Sequence, residues 1–146
     1  MTEPRVRTLN VLLVEDDPGD VLITREAFEE HLHNRLAVVT DGAAALAYLR
    51  REQPYADVPI PDLILLDLNL PRRDGREVLA EMKDDPALSY IPVIVLTTSS
   101  AKEDVLGSYR LHANAYVTKP MDFDNFIAAI KHINHFYLNV VQLPSR

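Results

Sequence analysis

Short apolar runs alternate with helix-like patterns along the 146 residues of this chain. Five of these runs, rich in leucine, isoleucine and valine, are predicted to be strands at 9–14, 36–39, 63–66, 93–96 and 115–118. The first, third and fourth runs are continuously apolar, which is typical of strands buried on both faces of a parallel sheet. Strands that alternate with helices in this way predict an α/β fold.

The segments between the runs carry apolar residues at helical spacing and begin with capping residues. Asp17 and Asp122 each stand where an N-cap is expected, and the second helix is predicted to run from Asp41 to about Glu52. The third helix is predicted to end before Asp85, and the fourth to begin after the Thr-Ser-Ser cluster at 98–100. The last helix has a broad apolar stripe, formed by Phe123, Phe126, Ile127, Ile130 and Ile133.

Five βα units joined by right-handed crossovers predict a doubly wound, flavodoxin-like three-layer sandwich. Its parallel five-stranded sheet is expected to have the strand order 2-1-3-4-5. The length favours a single domain over residues 1–146, with a core at about 9–136 and an apolar tail at 137–146. Only the tail follows the last predicted helix, so no output domain is expected there.

Composition narrows the classes of function. A net charge of −7 and a pI near 5.1 argue against binding to nucleic acid or to an anionic membrane surface. The chain has no cysteine, and no apolar stretch is long enough to span a membrane. These features predict a cytoplasmic protein that uses neither disulfides nor thiolate ligands.

Chemically active side chains follow four of the predicted strands. Strand one is followed by Glu15 and Asp16, strand three by Asp67, strand four by Thr97 and strand five by Lys119. Each residue alone has an ordinary explanation, as a helix cap, a turn residue or a solvated charge. In a doubly wound sheet, however, the carboxyl ends of the strands meet at the edge where ligands bind. Their convergence therefore predicts a functional site.

The charges of this group indicate a divalent cation. Two carboxylates about 5 Å apart repel by roughly 3 kcal/mol at an effective dielectric constant near 20. Glu15, Asp16, Asp67 and Lys119 together carry a net charge of −2, which one divalent ion neutralises. Oxygen ligands and a phosphate-facing site favour Mg²⁺ over Ca²⁺. A carboxylate beside Mg²⁺, a lysine and a hydroxyl is suited to phosphoryl transfer, with Asp67 as the nucleophile.

Four segments in this order resemble the receiver domain of two-component response regulators. They are "VLLVEDDP" for the acidic pocket, "LILLDLNLPRRDG" for the phosphoacceptor, "IPVIVLTTSS" for the switch threonine and "AYVTKP" for the lysine. Each segment alone is weakly specific, whereas the ordered set covers the chain from residue 9 to about 135. The resemblance implies a signalling protein rather than an enzyme, whose only catalysis assists its own phosphorylation and dephosphorylation.

Residue by residue, the resemblance implies that Asp67 accepts a phosphoryl group from a sensor histidine kinase. It implies that Asp16 binds Mg²⁺ directly, Glu15 mainly through water, and Asn69 through its backbone carbonyl.

The same resemblance implies that Thr97 donates its hydroxyl to the phosphoryl group and that Lys119 pairs with it. Tyr116 is then the aromatic side chain that turns inward when Thr97 moves, which alters the surface of helix four, strand five and helix five. The Lys119–Pro120 peptide bond is expected to be cis.

Three further features shape the expectations. His112 stands where the family usually has glycine at the end of helix four, so that helix end is expected to differ; a role as a pH sensor is the less favoured alternative.

The loop at 53–61 and the tail "FYLNVVQLP" resemble regulators that accompany bacterial phytochromes, which makes a bacteriophytochrome a candidate kinase. The apolar stripe and tail predict a homodimer through helix five, with folding of the tail onto its own domain as the alternative.

Three other functions compete with this interpretation. A phosphatase of the haloacid dehalogenase type would need an aspartate where this chain has Asn69, and it usually carries a cap insertion. A flavodoxin-like binding module would need a phosphate-binding loop after strand one, where Glu15 and Asp16 would repel the ligand. A degenerate receiver would lack part of the acidic site, which is intact here.

Overall fold

The computed structural model describes residues 9–29 and 34–137 of the chain. Within these residues, strands and helices alternate in the order β1 (Leu9–Val14), α1 (Pro18–Glu29), β2 (Asn34–Val39), α2 (Gly42–Leu49), β3 (Leu63–Leu66), α3 (Gly75–Asp84), β4 (Val93–Thr97), α4 (Lys102–Arg110), β5 (Ala115–Thr118) and α5 (Phe123–His135). All neighbouring strands are parallel, in the order β2-β1-β3-β4-β5. The predicted fold and strand order are confirmed.

The central strand β1 shows how the three layers form. Leu12 and Val14 face a core shared with α2 and α3, whereas Leu9, Val11 and Leu13 face a second core shared with α1 and α5. Successive side chains of a strand point to opposite faces, so a strand covered on both sides must be apolar at every position. This requirement explains the unbroken apolar runs in the sequence.

Most predicted boundaries agree with the structure to within a few residues. β2 begins at Asn34 rather than at residue 36, because Asn34 and Arg35 continue the parallel pairing with Leu9 and Asn10 of β1. Polar residues therefore form the start of β2, which the apolar pattern alone did not reveal. None of the helices in the described part of the chain is long and apolar enough to cross a membrane.

α4 begins at Lys102, after the Thr-Ser-Ser cluster as predicted, but the cluster does not provide its N-cap. Its N-cap is Ala101, which makes no side-chain capping hydrogen bond. The Oγ of Ser99 instead accepts a hydrogen bond of 3.3 Å from the Ala101 backbone N–H, and the Ser99 hydroxyl donates to Asp104 in the first turn of the helix. The Thr-Ser-Ser cluster thus contacts the helix start without providing its N-cap.

The end of α4 is a left-handed cap at His112. This residue has φ 67°, its N–H donates to the carbonyl of Tyr109, and the N–H of Ala113 donates to the carbonyl of Ser108. This pair of bonds is the Schellman arrangement that glycine usually supports. The expectation that histidine would change this helix end is wrong, because the chain adopts the left-handed conformation despite the side chain.

One expectation about the backbone also fails. Among the described residues, the cis peptide bond lies between Gln53 and Pro54, in the loop before β3. The Lys119–Pro120 bond is trans, so the prediction of a cis bond there is wrong.

Candidate functional site

Backbone hydrogen bonds between neighbouring strands continue one residue beyond the ends of β3 and β5. They place the polar residues that follow these strands at the carboxyl edge of the sheet. The N–H of Asp67 donates to the carbonyl of Val14 across 3.1 Å, and the N–H of Lys119 donates to the carbonyl of Thr97 across 2.7 Å. Glu15 follows Val14 directly on β1. The side chains predicted to form a site therefore start from fixed, neighbouring backbone positions.

Lys119 is the centre of the group. Its Nζ donates to Oδ2 of Asp67 at 3.3 Å and to Oδ2 of Asp20 at 2.9 Å, and it forms an ion pair with Glu15. Glu15, Asp67 and Lys119 are all buried, with 2%, 8% and 6% of their surfaces exposed. Charges this deeply buried are stable only when they are paired. The ammonium group therefore holds the carboxylates together.

The buried environment changes the protonation of this group. Burial raises the pKa of Glu15 to about 7, the Asp67 charge adds to the rise, and the contact with Lys119 offsets it only in part. Burial by itself would lower the pKa of Lys119, but its hydrogen bonds to Glu15 and Asp20 outweigh burial and raise that pKa. Lys119 thus remains a cation, and the site as a whole holds an excess of negative charge.

Glu15, Asp16 and Asp67 have the geometry of a metal site. Each offers one carboxylate oxygen, and these oxygens lie within 4.8 Å of one another. Asp16 is exposed while the other two are buried, so the group opens to solvent on one side. An all-oxygen donor set suits a hard divalent ion. The residues present fit the predicted ion.

Asn69 lies beside this group without a contact that tests its predicted role. Its backbone N–H donates to Oδ1 of Asp67 across 3.3 Å, and its side chain is exposed. The hydrogen bond restrains the Asp67 carboxylate. Metal binding through the carbonyl of Asn69 stays a prediction.

Two glycines fix the loop that follows Asp67. A Cβ atom on Gly75 would collide with the Asp67 carbonyl and would lie 2.8 Å from the Cα of Leu68. A Cβ atom on Gly42, at the start of α2, would collide with the carbonyl oxygen of Arg73. Backbone packs directly on backbone at both places, so the loop from 68 to 74 is held from two sides.

Thr97 is fully buried, and its hydroxyl oxygen has no hydrogen-bond partner among the described residues. A buried hydroxyl without a partner is uncommon and unfavourable. Thr97 ends β4 at the same edge of the sheet as Asp67, so its position is compatible with the predicted bond to a phosphoryl oxygen.

Tyr116, the predicted switch residue, is half-buried on β5. Its hydroxyl donates to the backbone carbonyl of Ser99 across 2.6 Å. Tyr116 therefore contacts the loop between β4 and α4 rather than the acidic group itself.

Sequence reasoning missed Asp20, which contacts Lys119 from the first turn of α1. Asp20 and Lys119 are 99 residues apart in the sequence, so no local pattern links them. Sequence reasoning also missed the contact between Arg76 and Asp104, which are 28 residues apart, and the bond from Ser99 to Asp104.

The apolar stripe of α5 divides between core and surface. Phe126 and Ile130 are buried against the sheet, whereas Phe123 and Phe136 are about half exposed, at 53% and 49%. The tail from 138 onward lies outside the described residues. The stripe thus packs mainly in the core, and Phe123 remains at the surface together with Phe136, which follows the helix.

Comparison with known proteins agrees with this geometry. The model of the response regulator receiver domain matches residues 11–131. The response regulator Rcp1 of Synechocystis sp. is 45% identical over 136 residues, which cover 92% of each chain.

Two solved structures resemble the chain closely. The crystal structure of the phosphorylated cyanobacterial phytochrome response regulator RcpA has a TM-score of 0.93 and 46% identity, and the match covers 95% of this chain and 100% of RcpA. The Mn²⁺-bound form of Rcp1 has a TM-score of 0.90 and 44% identity, covering 94% and 99%. Sequence match, fold and the buried acidic group beside Lys119 agree, and the chain belongs to the response regulator receiver domain family.

Proposed function

We propose that Asp67 accepts the phosphoryl group of a histidine kinase within a single receiver domain formed by residues 1–146. A carboxylate oxygen of Asp67 attacks phosphorus, the bond from phosphorus to the kinase imidazole nitrogen breaks, and the electron pair leaves with the imidazole. The observation that carries the proposal is the position of Asp67, buried beside the Lys119 ammonium and next to the oxygens of Glu15 and Asp16.

Mg²⁺ is the ion proposed for this site, with Glu15, Asp16, Asp67 and the carbonyl of Asn69 as the residues that would hold it. When bound, such an ion neutralises charge on the transferring phosphoryl group. The support from this chain is the donor set, which contains oxygen atoms only. Lys119 supplies a second positive charge, 3.3 Å from Oδ2 of Asp67, and so orients its carboxylate.

We infer that Thr97 and Tyr116 carry the signal. Phosphorylation replaces one negative charge on Asp67 with about two. The unpartnered Thr97 hydroxyl gains an acceptor by moving toward that group, which draws the end of β4 with it. The Tyr116 hydroxyl donates to the carbonyl of Ser99, which lies two residues after Thr97 in the loop between β4 and α4. A shift of this loop therefore changes the environment of Tyr116 and the surface formed by α4, β5 and α5.

The kinase surface is proposed to border the acidic edge of the sheet. Leu22 on α1 is 57% exposed, and Met121, two residues after Lys119, is fully exposed. Exposed apolar side chains next to a reactive group are suited to a protein partner. Because RcpA is named as a phytochrome response regulator, a bacteriophytochrome kinase acting in the cytoplasm is the partner that we propose.

We also propose a homodimer through α5 and the tail. The half-exposed Phe123 and Phe136 support it, since a two-fold interface would bury them against the same residues of a second copy. Light scattering of the full chain, with and without phosphorylation, tests this proposal. A monomer at micromolar concentration in both states would exclude it, and a version ending at His135 reports whether the tail is needed.

The phosphoacceptor proposal is tested by incubating the full chain with acetyl phosphate and measuring its intact mass. We expect one phosphoryl group in the presence of Mg²⁺ and none in excess chelator. Asp16→Asn should need far more Mg²⁺ for the same labelling. Equal labelling in chelator would contradict the metal requirement.

The same samples separate this proposal from the competing phosphatase. That enzyme would release phosphate from a generic phosphomonoester through many turnovers. A receiver should show no such turnover, because Asn69 cannot serve as the general acid that a leaving alcohol needs.

A further inference from the structure

A chain of polar contacts joins α3 to the loop between β4 and α4. The guanidinium of Arg76 forms an ion pair with Oδ1 of Asp104 and contacts both carboxylate oxygens of Asp74 at 3.1 Å. The other oxygen of Asp104 accepts a hydrogen bond of 2.6 Å from the Ser99 hydroxyl, and the Ser99 carbonyl accepts the Tyr116 hydroxyl. Neither the metal site nor the phosphoacceptor includes Arg76.

We propose that Arg76 is a positioning residue that acts through Asp104 and Ser99 to hold the loop where its carbonyl accepts the Tyr116 hydroxyl. The inference rests on the proposed function only in treating Tyr116 as part of the switch. The contacts that support it need neither a bound metal ion nor a phosphoryl group.

The two carboxylate oxygens of Asp104 have different partners, which explains how Arg76 can act on Ser99. One carboxylate oxygen faces Arg76 and the other faces Ser99, so the ion pair fixes the direction in which Asp104 presents its acceptor. The Ser99 hydroxyl and then the Arg76 guanidinium hold the pKa of Asp104 below its usual value, so the carboxylate stays charged and accepts from both.

The planar fork of Arg76 is suited to this task. It contacts Asp74 at the N-cap of α3 and Asp104 in the first turn of α4 at the same time. Arginine presents several donors in a fixed plane, which lysine does not. Because α4 has no side-chain N-cap, the Ser99 contacts are what join the loop to the helix start. Arg76 thereby connects the loop between β4 and α4 to α3.

Loosening this connection should free Tyr116 without disturbing the phosphoacceptor. An exposed ion pair of this kind shifts an equilibrium by roughly two- to five-fold. We therefore expect Arg76→Gln to lower the ratio of bonded to released Tyr116 by that factor. Asp104→Asn should do the same, and the double variant should add little more, because both changes remove one connection.

The test is ¹⁹F NMR of the full chain labelled with fluorotyrosine, with the Tyr116 resonance assigned through Tyr116→Phe. The matched control is Arg73→Gln, which breaks similarly exposed ion pairs with Glu77 and Glu81, so that its partners do not include Asp104. We expect the Tyr116 resonance to move in Arg76→Gln, to return part of the way in Arg76→Lys, and to stay in place in Arg73→Gln.

An unchanged Tyr116 resonance in Arg76→Gln would overturn the inference, as would an equal change in Arg73→Gln. The experiment uses no phosphodonor. Its failure would leave labelling of Asp67 untouched, and failure of that labelling would leave the Tyr116 result standing.

Discussion

Lys119 Nζ lies 3.3 Å from Oδ2 of Asp67, although 52 residues separate them in the sequence. The contact crosses the end of β4, whose Thr97 carbonyl accepts the backbone N–H of Lys119. The sheet register therefore sets the distance between the proposed phosphoacceptor and its cation. Substitutions of Lys119, of Thr97 and of Gly42, which packs on the loop after Asp67, should therefore have distinct effects on stability and phosphorylation.

Replacing Lys119 with methionine should destabilise the protein and strengthen its binding of Mg²⁺. Removing one partner of a buried ionic group costs about 3 kcal/mol. A divalent ion then compensates charges that Lys119 no longer balances, so Mg²⁺ should raise the unfolding temperature of Lys119→Met more than that of the wild type. Thermal unfolding with and without Mg²⁺ measures this, while phosphorylation should still be impaired.

The control for that variant is Lys102→Met, which removes an exposed lysine at the start of α4. It should leave stability and Mg²⁺ affinity close to the wild type. A Lys119→Met variant as stable as this control would show that the ammonium does not hold the carboxylates together.

Thr97→Val should stabilise the unphosphorylated protein by about 1 kcal/mol, because valine removes a buried hydroxyl that has no partner among the described residues. Phosphorylation of Asp67 should persist, whereas the accompanying change at Tyr116 should weaken. Thr97→Ser retains the hydroxyl and should keep the response. Denaturant unfolding and the Tyr116 spectrum, each before and after phosphorylation, report both effects. A full response in Thr97→Val would refute the proposed coupling.

Gly42→Ala should destabilise the protein by roughly 2 kcal/mol and weaken Mg²⁺ binding, because the added methyl group displaces the loop at Arg73. Gly107→Ala is the matched control: no atom lies within 4 Å of its added Cβ, and alanine is favoured within α4. This control should gain roughly 0.5 to 1 kcal/mol. Urea unfolding and Mg²⁺ titration measure the pair. Equal stability of the two variants would argue against the close approach at Gly42.

His112→Gly should raise the free energy of unfolding by roughly 0.5 to 1 kcal/mol, since glycine adopts the left-handed conformation without strain. His112→Ala keeps the Cβ atom and should bring no such gain. The pH dependence of phosphorylation should be the same in all three proteins. A loss of pH response in His112→Gly would instead favour the pH-sensor alternative.

The sequence was sufficient for the fold because its pattern reflects burial on both sides of the sheet. β1, β3 and β5 begin and end where the apolar runs do. The strand order then followed from topology, and it brought Glu15, Asp67 and Lys119 to one edge. Those contacts could be predicted because short, regular elements leave little freedom at strand ends.

The remaining features depend on side-chain geometry across the fold. Asp20 of α1 and Lys119 after β5 are 99 residues apart in the sequence, and Arg76 of α3 and Asp104 of α4 are 28 residues apart. No local spacing encodes such pairs. The same reason explains why the N-cap of α4 could not be predicted, since Ser99 contacts Asp104 and the Ala101 N–H rather than acting as the N-cap.

The central claim is that Asp67 is the residue phosphorylated. Acyl phosphates are reduced by borohydride, which converts a phosphorylated aspartate into homoserine that peptide mass spectrometry can locate. After treatment with acetyl phosphate and Mg²⁺, we expect homoserine at position 67 and no labelling of Asp67→Asn. Homoserine at another aspartate in the wild-type chain, or undiminished labelling of Asp67→Asn, would contradict it.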